Sequence, residues 1–414
     1  MRTKPLFFLL MLAILCPASI KAADLVVSGC AAEDYLNNNG AMWIDDIETS
    51  FRSSSAGMLA KKGADYNTRV FTVSGPINEE DLAVLWEASL LGNLVEIDLG
   101  EAEFEGGIVP DFAFWNESGQ VDTQCGHTRY IRLKKIVLPK NCVEIGKYAF
   151  ANAINLDEVV FPAGLEKIDE SAFYNCGIKE VVLPNSCVTF DGTSHFMHNV
   201  NLGKMYLPEG IESIPAGFVE ECIFLEDIRI PATVKHIGDR AFLKCRSLKS
   251  IELPPALETI GDLAFFAVDA MERISFPATL KSLGKRCCEY MTVMRNIYCA
   301  SSEPPVCEKL DTDTQSVYKP FGVNRINYNK ITWEGARIHV PVGSAEKYRR
   351  AWGWDYFTNF VETEEFPDAA VEEVIADDDV AAQVLYDLHG RQVLNPQEGH
   401  LYISEGKTIV YKKK

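Results

Sequence analysis

Two histidines, His195 and His198, form an HxxH pair whose rings are candidates to hold one metal ion. Zinc takes such nitrogen ligands, but a zinc site needs at least one or two further ligands. His198 also follows Pro184 by 14 residues, the offset at which Cys176 and Cys222 follow their own prolines. We therefore interpret both histidines as packed or loop residues, and we predict no metal site.

Two irregular stretches carry the other residues whose types suit catalysis. Residues 101–130 contain His127, and residues 301–335 contain Asp311 and Asp313. The two aspartates are spaced as in a calcium loop, but the glycine and the final bidentate glutamate of such a loop are missing. The chain also has no GxGxxG, GxSxG, HExxH or GxxxxGK motif. We predict no catalytic residues and no cofactor, with an enzyme that uses these two loops as the alternative.

The elements around these residues recur as seven blocks between Leu133 and Met294. Each block carries one proline in the same place, at intervals of 22 to 24 residues. The prolines are Pro139, Pro162, Pro184, Pro208, Pro231, Pro254 and Pro277. A period in the twenties indicates a solenoid, because a single block cannot bury its own apolar face and must stack on its neighbours.

One block, Leu225–Cys245, shows how each copy folds. Ile228 and Ile230 are two residues apart, so they point to the same face of a short strand. Pro231 ends that strand because it has no N–H to donate. Gly238-Asp239 then predicts a short helical turn. The inward residues after this turn are Ala241, Phe242 and Cys245. The phenylalanines predicted to stack as one aromatic ladder are Phe150, Phe173, Phe218, Phe242 and Phe265.

The block pattern LxxIxLPxxVxxIGxxAFxxC resembles the BspA-like class of leucine-rich repeats, over roughly half the chain. The resemblance implies an α/β solenoid, a leucine-rich repeat stack of short parallel strands with irregular or short helical turns, capped at both ends. It also implies an exported bacterial protein, since known members are mostly secreted or surface proteins and some are adhesins. Two blocks depart from the pattern, at residues 189–192 and at Cys287-Cys288.

Composition limits the classes of partner. The 414 residues carry 40 basic and 59 acidic side chains, a net charge of −19. An acidic chain of this kind does not suit nucleic acid, which requires a basic face. We expect no nucleic-acid partner, no adsorption to anionic lipid and no membrane span.

The N-terminus is predicted to be a signal peptide, residues 1–22. Arg2 and Lys4 precede an apolar run from Leu6 to Leu15, which is too short to span a bilayer. Ala22-Ala23 offers a cleavage site. We expect export to the periplasm, the cell surface or the medium. Lipid attachment is the less favoured alternative, because Leu15 before Cys16 is bulky, and Cys30 is separated from the apolar run.

Cysteine usage leaves the redox state open. Removal of residues 1–22 leaves 11 of the 12 cysteines, an odd number, so at least one thiol is unpaired in a monomer. We interpret the periodic cysteines as small buried hydrophobes rather than as a disulfide framework. A bridge between Cys299 and Cys307, where the repeats end, stays open.

The domain organisation follows from these patterns. The predicted divisions are a signal peptide at 1–22, an N-terminal cap with divergent repeats at 23–130, repeats at 131–300, a loop with a C-terminal cap at 301–362, an acidic linker at 363–382 and a β-hairpin module at 383–414. The final module resembles the short C-terminal β module of many exported proteins of anaerobic Gram-negative bacteria, some longer relatives of which are sorting signals.

The regions that flank the blocks have their own predicted elements. They are helical turns at 32–36 and 44–51, a strand at 66–75, a helix at 77–86 with Asn78 as its N-cap, a strand at 93–100, and a strand, a turn and a helix at 337–354. Residues 101–130 break the period and are predicted to be an inserted loop. Trp352, Trp354 and Phe357 are expected to cover the open end of the core.

The outward residues of the strands offer a binding surface. Neighbouring strands lie about 4.8 Å apart, so Val137, Val160, Val182 and Tyr206 should form one continuous apolar stripe. The same row continues to Arg229 and Tyr298. The β-propensity of Val and Tyr explains such a row equally well. We predict these six residues as the binding site, with Tyr206 as its aromatic anchor.

The function that fits these features is an exported, non-catalytic binding or adhesion protein. Its partner would be a protein or a glycan that contacts the repeat surface. Besides the enzyme described above, a purely structural envelope protein remains an alternative.

Overall fold

The computed structural model describes residues 48–63, 66–116, 130–307, 320–321, 335–355 and 357–367, and the backbone of five short strands between 373 and 412. Within these ranges the chain winds as a parallel-strand β-solenoid with few helices. No helix in them is both long and apolar enough to cross a lipid bilayer. The prediction of a stack of short parallel strands is therefore confirmed.

The helices are short and few. They are α1 Met58–Lys62, α2 Glu79–Leu91 and α3 Ala345–Arg350, and Glu105–Gly107 forms a 3-10 helix. The strands, in chain order, are β1 Glu48–Arg52, β2 Val70–Ile77, β3 Glu96–Phe104, β4 Ile108–Val109, β5 Lys135–Val137, β6 Glu144–Ile145, β7 Glu158–Val160, β8 Lys167–Ile168, β9 Glu180–Val182, β10 Thr189–Phe190, β11 Lys204–Tyr206, β12 Ser213–Ile214, β13 Asp227–Arg229, β14 His236–Ile237, β15 Thr259–Ile260, β16 Arg273–Phe276, β17 Ser282–Leu283, β18 Asn296–Cys299, β19 Val306–Cys307, β20 Arg337–Pro341, β21 Phe360–Thr363, β22 Glu373–Ala376, β23 Leu385–Tyr386, β24 Gln392–Val393, β25 Leu401–Ser404 and β26 Lys407–Lys412.

The strand before each proline builds the first hydrogen-bonded ladder. β5 and β7 pair in parallel and in register, with Lys135 opposite Glu158 and Val137 opposite Val160. β9, β11 and β13 form a second run of this ladder, and β16, β18, β20 and β21 form a third. The central residue of each strand is buried, whereas its neighbours on either side face outward.

The segment after each proline builds a second ladder, which the sequence analysis did not predict. Its strands are two residues long, and β6 pairs with β8 through Glu144 opposite Lys167 and Ile145 opposite Ile168. Its two runs are β4, β6, β8, β10 and then β12, β14, β15, β17, β19. The Ile of the repeated IG pair is therefore the inward residue of a strand.

The predicted short helical turns are wrong, because this part of each block forms a third ladder. Tyr148 and Asn152 adopt left-handed backbone angles (φ 54° and 64°), and the pattern recurs in every later coil. The N–H groups of Tyr148, Phe150 and Asn152 donate to carbonyls of the next coil, at 2.8–3.1 Å. The residues between them bond three residues back within their own coil. In a helix, all these N–H groups would donate within their own coil. The alternation instead directs every second N–H group to the next coil, so hydrogen bonds join the coils.

The aromatic ladder exists, but one of its predicted members is wrong. Stacked rings with centroids 5.1–5.3 Å apart join Phe114, Phe150, Phe173 and Phe196, and a separate stacked pair joins Phe242 and Phe265. Phe218 does not continue the ladder, because it meets Phe196 edge-on, with ring planes at 75°. Val219 occupies the ladder position of that coil.

The irregular third block explains why the predicted ladder omitted Phe196, whereas Phe218 lies one residue before the ladder position of its own coil. Left-handed residues recur every 23 positions, at 148, 171, 194, 217, 240, 263 and 286. The prolines step by 22 and then by 24 around Pro184. Gly192, with φ 82°, supplies the compensating extra residue after β10. Counting from Pro184 therefore displaces the rest of this block by one residue, and the turns give the true register.

Residues 101–116 form a complete coil, so their prediction as part of an inserted loop is wrong. β3 runs to Phe104, and β4 pairs with β6. The N–H of Phe114 donates to the carbonyl of Ala149, and its ring stacks on Phe150. The period was hidden because 36 residues, rather than 23, separate Val109 from its partner Ile145 in the next coil. Cys125 and His127 lie outside the described residues.

Three of the predictions for the N-terminal part are confirmed, whereas the predicted helical turn at 32–36 lies outside the described residues. The two predicted strands appear as β2 and β3, and the predicted helix appears as α2. Asn78 caps α2 in a reciprocal box, accepting the Asp81 N–H at 3.2 Å while the Asp81 carboxylate accepts the Asn78 N–H. The buried Asp81 also accepts the N–H groups of Gly57 and Ala60 and so fixes α1. The predicted helical turn at 44–51 is wrong over its described part, because β1 pairs with β2 there.

Close backbone contact between coils explains the glycine of the IG pair. A Cβ added to Gly284 would lie 2.3 Å from the carbonyl carbon of Gly261 and 2.4 Å from the N of Asp262. Real Cβ atoms do not approach backbone so closely, so the coils would have to separate. The glycine column therefore sets the spacing of the stack at this corner.

We expect Gly284→Ala to lower the free energy of unfolding by about 1–3 kcal/mol, the usual cost of overpacking. Gly164→Ala is the matched control, because a Cβ there meets nothing within 4 Å. Urea unfolding of both variants measures the difference. Equal midpoints for Gly284→Ala and wild type would mean that the coils are not in contact at this corner.

The nine cysteines among the described residues are buried, and no disulfide joins Cys299 to Cys307. The thiols of Cys176, Cys222 and Cys245 point at carbonyl oxygens of the preceding coil, at 3.1–3.3 Å. Burial raises the pKa of thiols such as Cys187, to about 12, so they stay protonated. The periodic cysteines are therefore packed, weakly donating side chains.

The last described coils end on aromatic side chains. Trp354 and Phe357 are buried, and Trp352 packs against the same core. The Trp354 ring meets Phe321 and Tyr348 edge-on at 5.1 Å. Separately, β22 to β26 form a five-stranded sheet in the order β22-β26-β25-β23-β24. This sheet takes β22 from within the segment predicted as an acidic linker, so it is larger than the predicted hairpin module.

Candidate binding surface

The outward residues of the first ladder form one surface, which we call the strand face. It has two rows, because each strand contributes the residue before and the residue after its buried centre. The first row is Lys135, Glu158, Glu180, Lys204, Asp227, Arg273, Asn296 and Arg337. The second row is Val137, Val160, Val182, Tyr206, Arg229, Ser275, Tyr298 and His339.

Four neighbouring residues of the second row, Val137, Val160, Val182 and Tyr206, are apolar or aromatic, and we call them the open stripe. Val137 stands opposite Val160, and Val182 stands opposite Tyr206. Val160 is 40% exposed and Val182 is 39% exposed, whereas Val137 and Tyr206 are half-buried. The predicted stripe therefore lies on one surface, and the described part of residues 101–130 forms a coil of its own rather than covering it.

Tyr206 and Arg229 form a pair at the end of the open stripe. The guanidinium carbon of Arg229 lies 5.6 Å from the centroid of the Tyr206 ring, in cation–π geometry. Burial, followed by the nearby Asp227 carboxylate, raises the pKa of Tyr206, so its hydroxyl stays neutral. The Arg229 Nη1 atom is buried and has no hydrogen-bond partner in the described part of the chain. This end of the stripe thus carries a ring that a cation holds in place.

Tyr298 lies at the other end of the face, next to a residue that the sequence analysis did not single out. The rings of Tyr298 and His339 stack with centroids 4.2 Å apart and planes at 15°. His339 Nε2 lies 3.1 Å from the Asn296 side-chain oxygen. Burial and then Arg337 lower the pKa of His339, which favours the neutral ring. The alternation in 337–341 places His339 in the second row, and this signal was present in the sequence.

The first row contains both basic and acidic residues along the stack. Lys135 Nζ and the Glu158 carboxylate are 2.8 Å apart, and this hydrogen bond raises the pKa of Lys135. Both groups are largely exposed, so the pair contributes little to stability. We therefore expect the charges of this row to affect which partner binds, and in which position, more than they affect the stability of the fold.

The candidate metal ligands are not brought together. His195 is buried in the core, where its Nε2 lies 3.0 Å from the Asp191 carbonyl oxygen. His198 takes a left-handed turn position, and its Nδ1 lies 3.2 Å from the Glu221 carboxylate. The column of Cys176 continues through Asn199, so the assignment of His198 to it is wrong. The described residues contain no group of three or more His, Cys, Asp or Glu side chains that could hold a metal.

Three candidate catalytic residues stay untested. His127, Asp311 and Asp313 all lie outside the described residues. An enzyme that uses the two irregular stretches therefore stays an untested alternative.

Several solved structures are similar to this chain. A leucine-rich repeat protein of T. pallidum is 26% identical, with a TM-score of 0.36, over 44% of this chain and 79% of that chain. A leucine-rich repeat protein of Bacteroides ovatus is 18% identical, with a TM-score of 0.36, over 62% and 88%. The pneumococcal vaccine antigen PcpA is 14% identical, with a TM-score of 0.34, over 77% and 85%. No curated protein matches the chain at a significant level.

The repeats themselves match a family model. The BspA type leucine rich repeat region is found in 6 copies, at residues 128–237 and 214–310. These ranges cover the blocks that carry the second and third ladders and most of the strand face. Residues 128–310 of this chain are therefore a BspA type leucine-rich repeat region.

Proposed function

We propose that this chain is an exported, non-catalytic binding protein and that the open stripe holds a protein partner. One observation carries the proposal: four neighbouring side chains of the stripe are apolar or aromatic, and two of them remain about 40% exposed. Covering apolar surface is favourable by about 25 cal/mol per Å². A partner that covers the stripe would gain this energy, which the solenoid alone leaves unused.

The chemistry of the stripe favours a protein over a glycan. Aliphatic side chains such as Val160 and Val182 match the apolar side chains at the centre of protein interfaces. The Tyr206 ring, the natural platform for a sugar, already has Arg229 over it. Tyr and Arg are also the residue types that dominate binding energy in protein interfaces. A glycan partner is the alternative outcome of the experiment below.

Export is the second part of the proposal. The basic start, the short apolar run and Ala22-Ala23 within the first residues support removal of residues 1–22. The mature chain would then act in the periplasm, at the cell surface or outside the cell. A purely structural envelope role differs from this proposal because it needs no specific contact at the stripe.

The test compares partner capture by two forms of the mature full-length chain. The double variant Val160→Lys, Tyr206→Glu places charges in the stripe without changing the buried core. We expect it to lose the proteins that the wild type enriches from the host envelope and surroundings, because buried unpaired charges oppose association.

Val188→Lys is the matched control, because Val188 is 49% exposed but lies outside the strand face. It should capture the same proteins as the wild type, and thermal unfolding should show that all three forms fold. Full capture by the folded double variant would exclude the stripe as the binding site. Capture of glycans alone would overturn the choice of a protein partner.

A further inference from the structure

The chain after the last solenoid strand returns to the strand face. β21 ends at Thr363, whose hydroxyl accepts the Glu365 N–H at 3.0 Å and so closes a tight turn. Two residues later, the carbonyl oxygen of Pro367 lies 3.5 Å from the Ser275 hydroxyl. Ser275 is a second-row residue of β16, 92 positions earlier in the chain. The segment 364–367 has therefore folded back over the face.

The strand order defines its path. From β21 to β16 the ladder passes through β20 and β18. Three steps of about 4.8 Å amount to about 14 Å, and Ser275 lies level with Val361, two residues before Thr363. Because only four residues lead from Thr363 to this contact, the segment takes the short path across β20 and β18. The residues that β20 and β18 present in the second row are His339 and Tyr298.

The segment and this end of the face are chemically complementary. Glu364 and Glu365 are exposed, whereas Phe366 and Pro367 are half-buried. The first row beside the path carries two exposed arginines, Arg273 and Arg337. The segment thus combines an apolar pair with acidic neighbours, and this end of the face combines stacked rings with cationic neighbours, a match that favours their pairing electrostatically.

We propose that the segment 364–367 is an intramolecular ligand of the strand face. It occupies the end formed by Ser275, Tyr298 and His339 and leaves the open stripe free. The strand face is then two sites, one filled by the chain itself and one available to a partner. Tyr298 is assigned to the first of these sites, in place of its predicted role with an external partner. Only the statement that the open stripe is available to a partner rests on the proposed function.

The occupancy also defines the kind of peptide that this end of the face accepts. Its occupant is a short extended segment with an aromatic–proline pair preceded by two carboxylates. An external peptide of the same chemistry would have to displace the chain's own segment. This end is thus closed to partners that bind less tightly than the tethered copy, whose effective concentration is high.

Photo-crosslinking within the full-length chain tests this occupancy. A benzophenone amino acid replaces Tyr298 in one variant and Tyr206 in the other, and mass spectrometry maps the adducts after irradiation. We expect the probe at 298 to form an intramolecular adduct with the peptide that contains residues 364–367. We expect the probe at 206 to form no adduct with that peptide.

A second variant tests whether the adduct depends on the side chains of the segment 364–367 or only on its proximity to the probe. Phe366→Ser together with Glu364→Lys and Glu365→Lys removes the apolar anchor and reverses the charge. The adduct from position 298 should then be lost, whereas an unchanged adduct would overturn the proposal. Absence of the adduct in the first variant, or equal adducts from 298 and 206, would overturn it as well. None of these readouts involves an external partner, so their failure leaves the proposed function standing.

Discussion

Replacing Phe242 with alanine is expected to lower the free energy of unfolding by about 3–5 kcal/mol. Phe242 is fully buried in the middle of the stack, and its ring lies on Phe265 with centroids 5.2 Å apart and planes at 2°. Removing it leaves a cavity between two coils that the regular hydrogen-bonded ladders prevent from closing. Urea or guanidinium denaturation of the full-length chain measures the loss.

Phe224→Ala is the matched control for this substitution. The same side chain is removed, but Phe224 is 57% exposed, so the change should stay within about 0.5 kcal/mol of wild type. A loss below about 1 kcal/mol for Phe242→Ala would contradict the register of the aromatic ladder. So would equal losses for both variants.

Acid is expected to destabilise the solenoid through His195. This ring is fully buried, its Nε2 faces the Asp191 carbonyl, and its Nδ1 has no partner in the described part of the chain. Burial lowers the pKa of His195 from 6.5 to about 4, against smaller opposing effects of Asp191 and Asp169. Between pH 6.5 and about pH 4, His195 is therefore protonated in the unfolded chain but neutral in the folded chain. Stability falls as the pH drops from about 6.5 to about 4, by about 3 kcal/mol in total.

His195→Ala isolates this contribution. The substitution matches Ala172 and Ala241, which occupy the same column, and it costs stability at every pH by leaving space next to Phe190 and Phe218. The decisive quantity is therefore the change in unfolding free energy between pH 7 and pH 4. That change should be smaller in His195→Ala than in wild type, and the same as wild type in the exposed control His236→Ala. Equal changes in all three proteins would show that His195 is protonated in the folded state.

The repeats predicted the fold because every block makes the same local choice of strand, proline and inward face. The errors arise where a block departs from this consensus. Residues 108–116 lie 36 positions, rather than 23, from their partners in the next coil, so they were predicted to be part of a loop. Gly192 adds one residue after β10, so counting from Pro184 misplaced His198 and missed Phe196. A constant position in the turns, such as the left-handed residue, defines the register better than the proline does.

The third ladder could not be read from residue patterns. Alternation of right-handed and left-handed backbone has no simple sequence signature, because Tyr148, Ser171 and Arg240 all occupy the same left-handed position. Only residues such as Asn152 and Asn175, which tolerate this conformation, hint at it. The energy that holds these positions comes from hydrogen bonds to the next coil, which a single block does not contain.

The strand face could also be predicted from the sequence only in part. The outward positions of the open stripe follow from strand alternation alone, so the sequence was sufficient to predict them. The contact between Pro367 and Ser275 joins residues 92 positions apart and has no periodic signal. The composition of the segment suggested only an acidic linker. Its place on the strand face required the folded structure.

The affinity of the captured protein partner for the wild type, the double variant and the control tests the central claim most directly. Anchors of a protein interface contribute at least about 2 kcal/mol each, which corresponds to about 30-fold in the dissociation constant. We expect Val160→Lys, Tyr206→Glu to weaken binding by at least this factor, and Val188→Lys to bind as the wild type does. A double variant that folds normally and keeps the wild-type dissociation constant would contradict the claim that the open stripe is the binding surface.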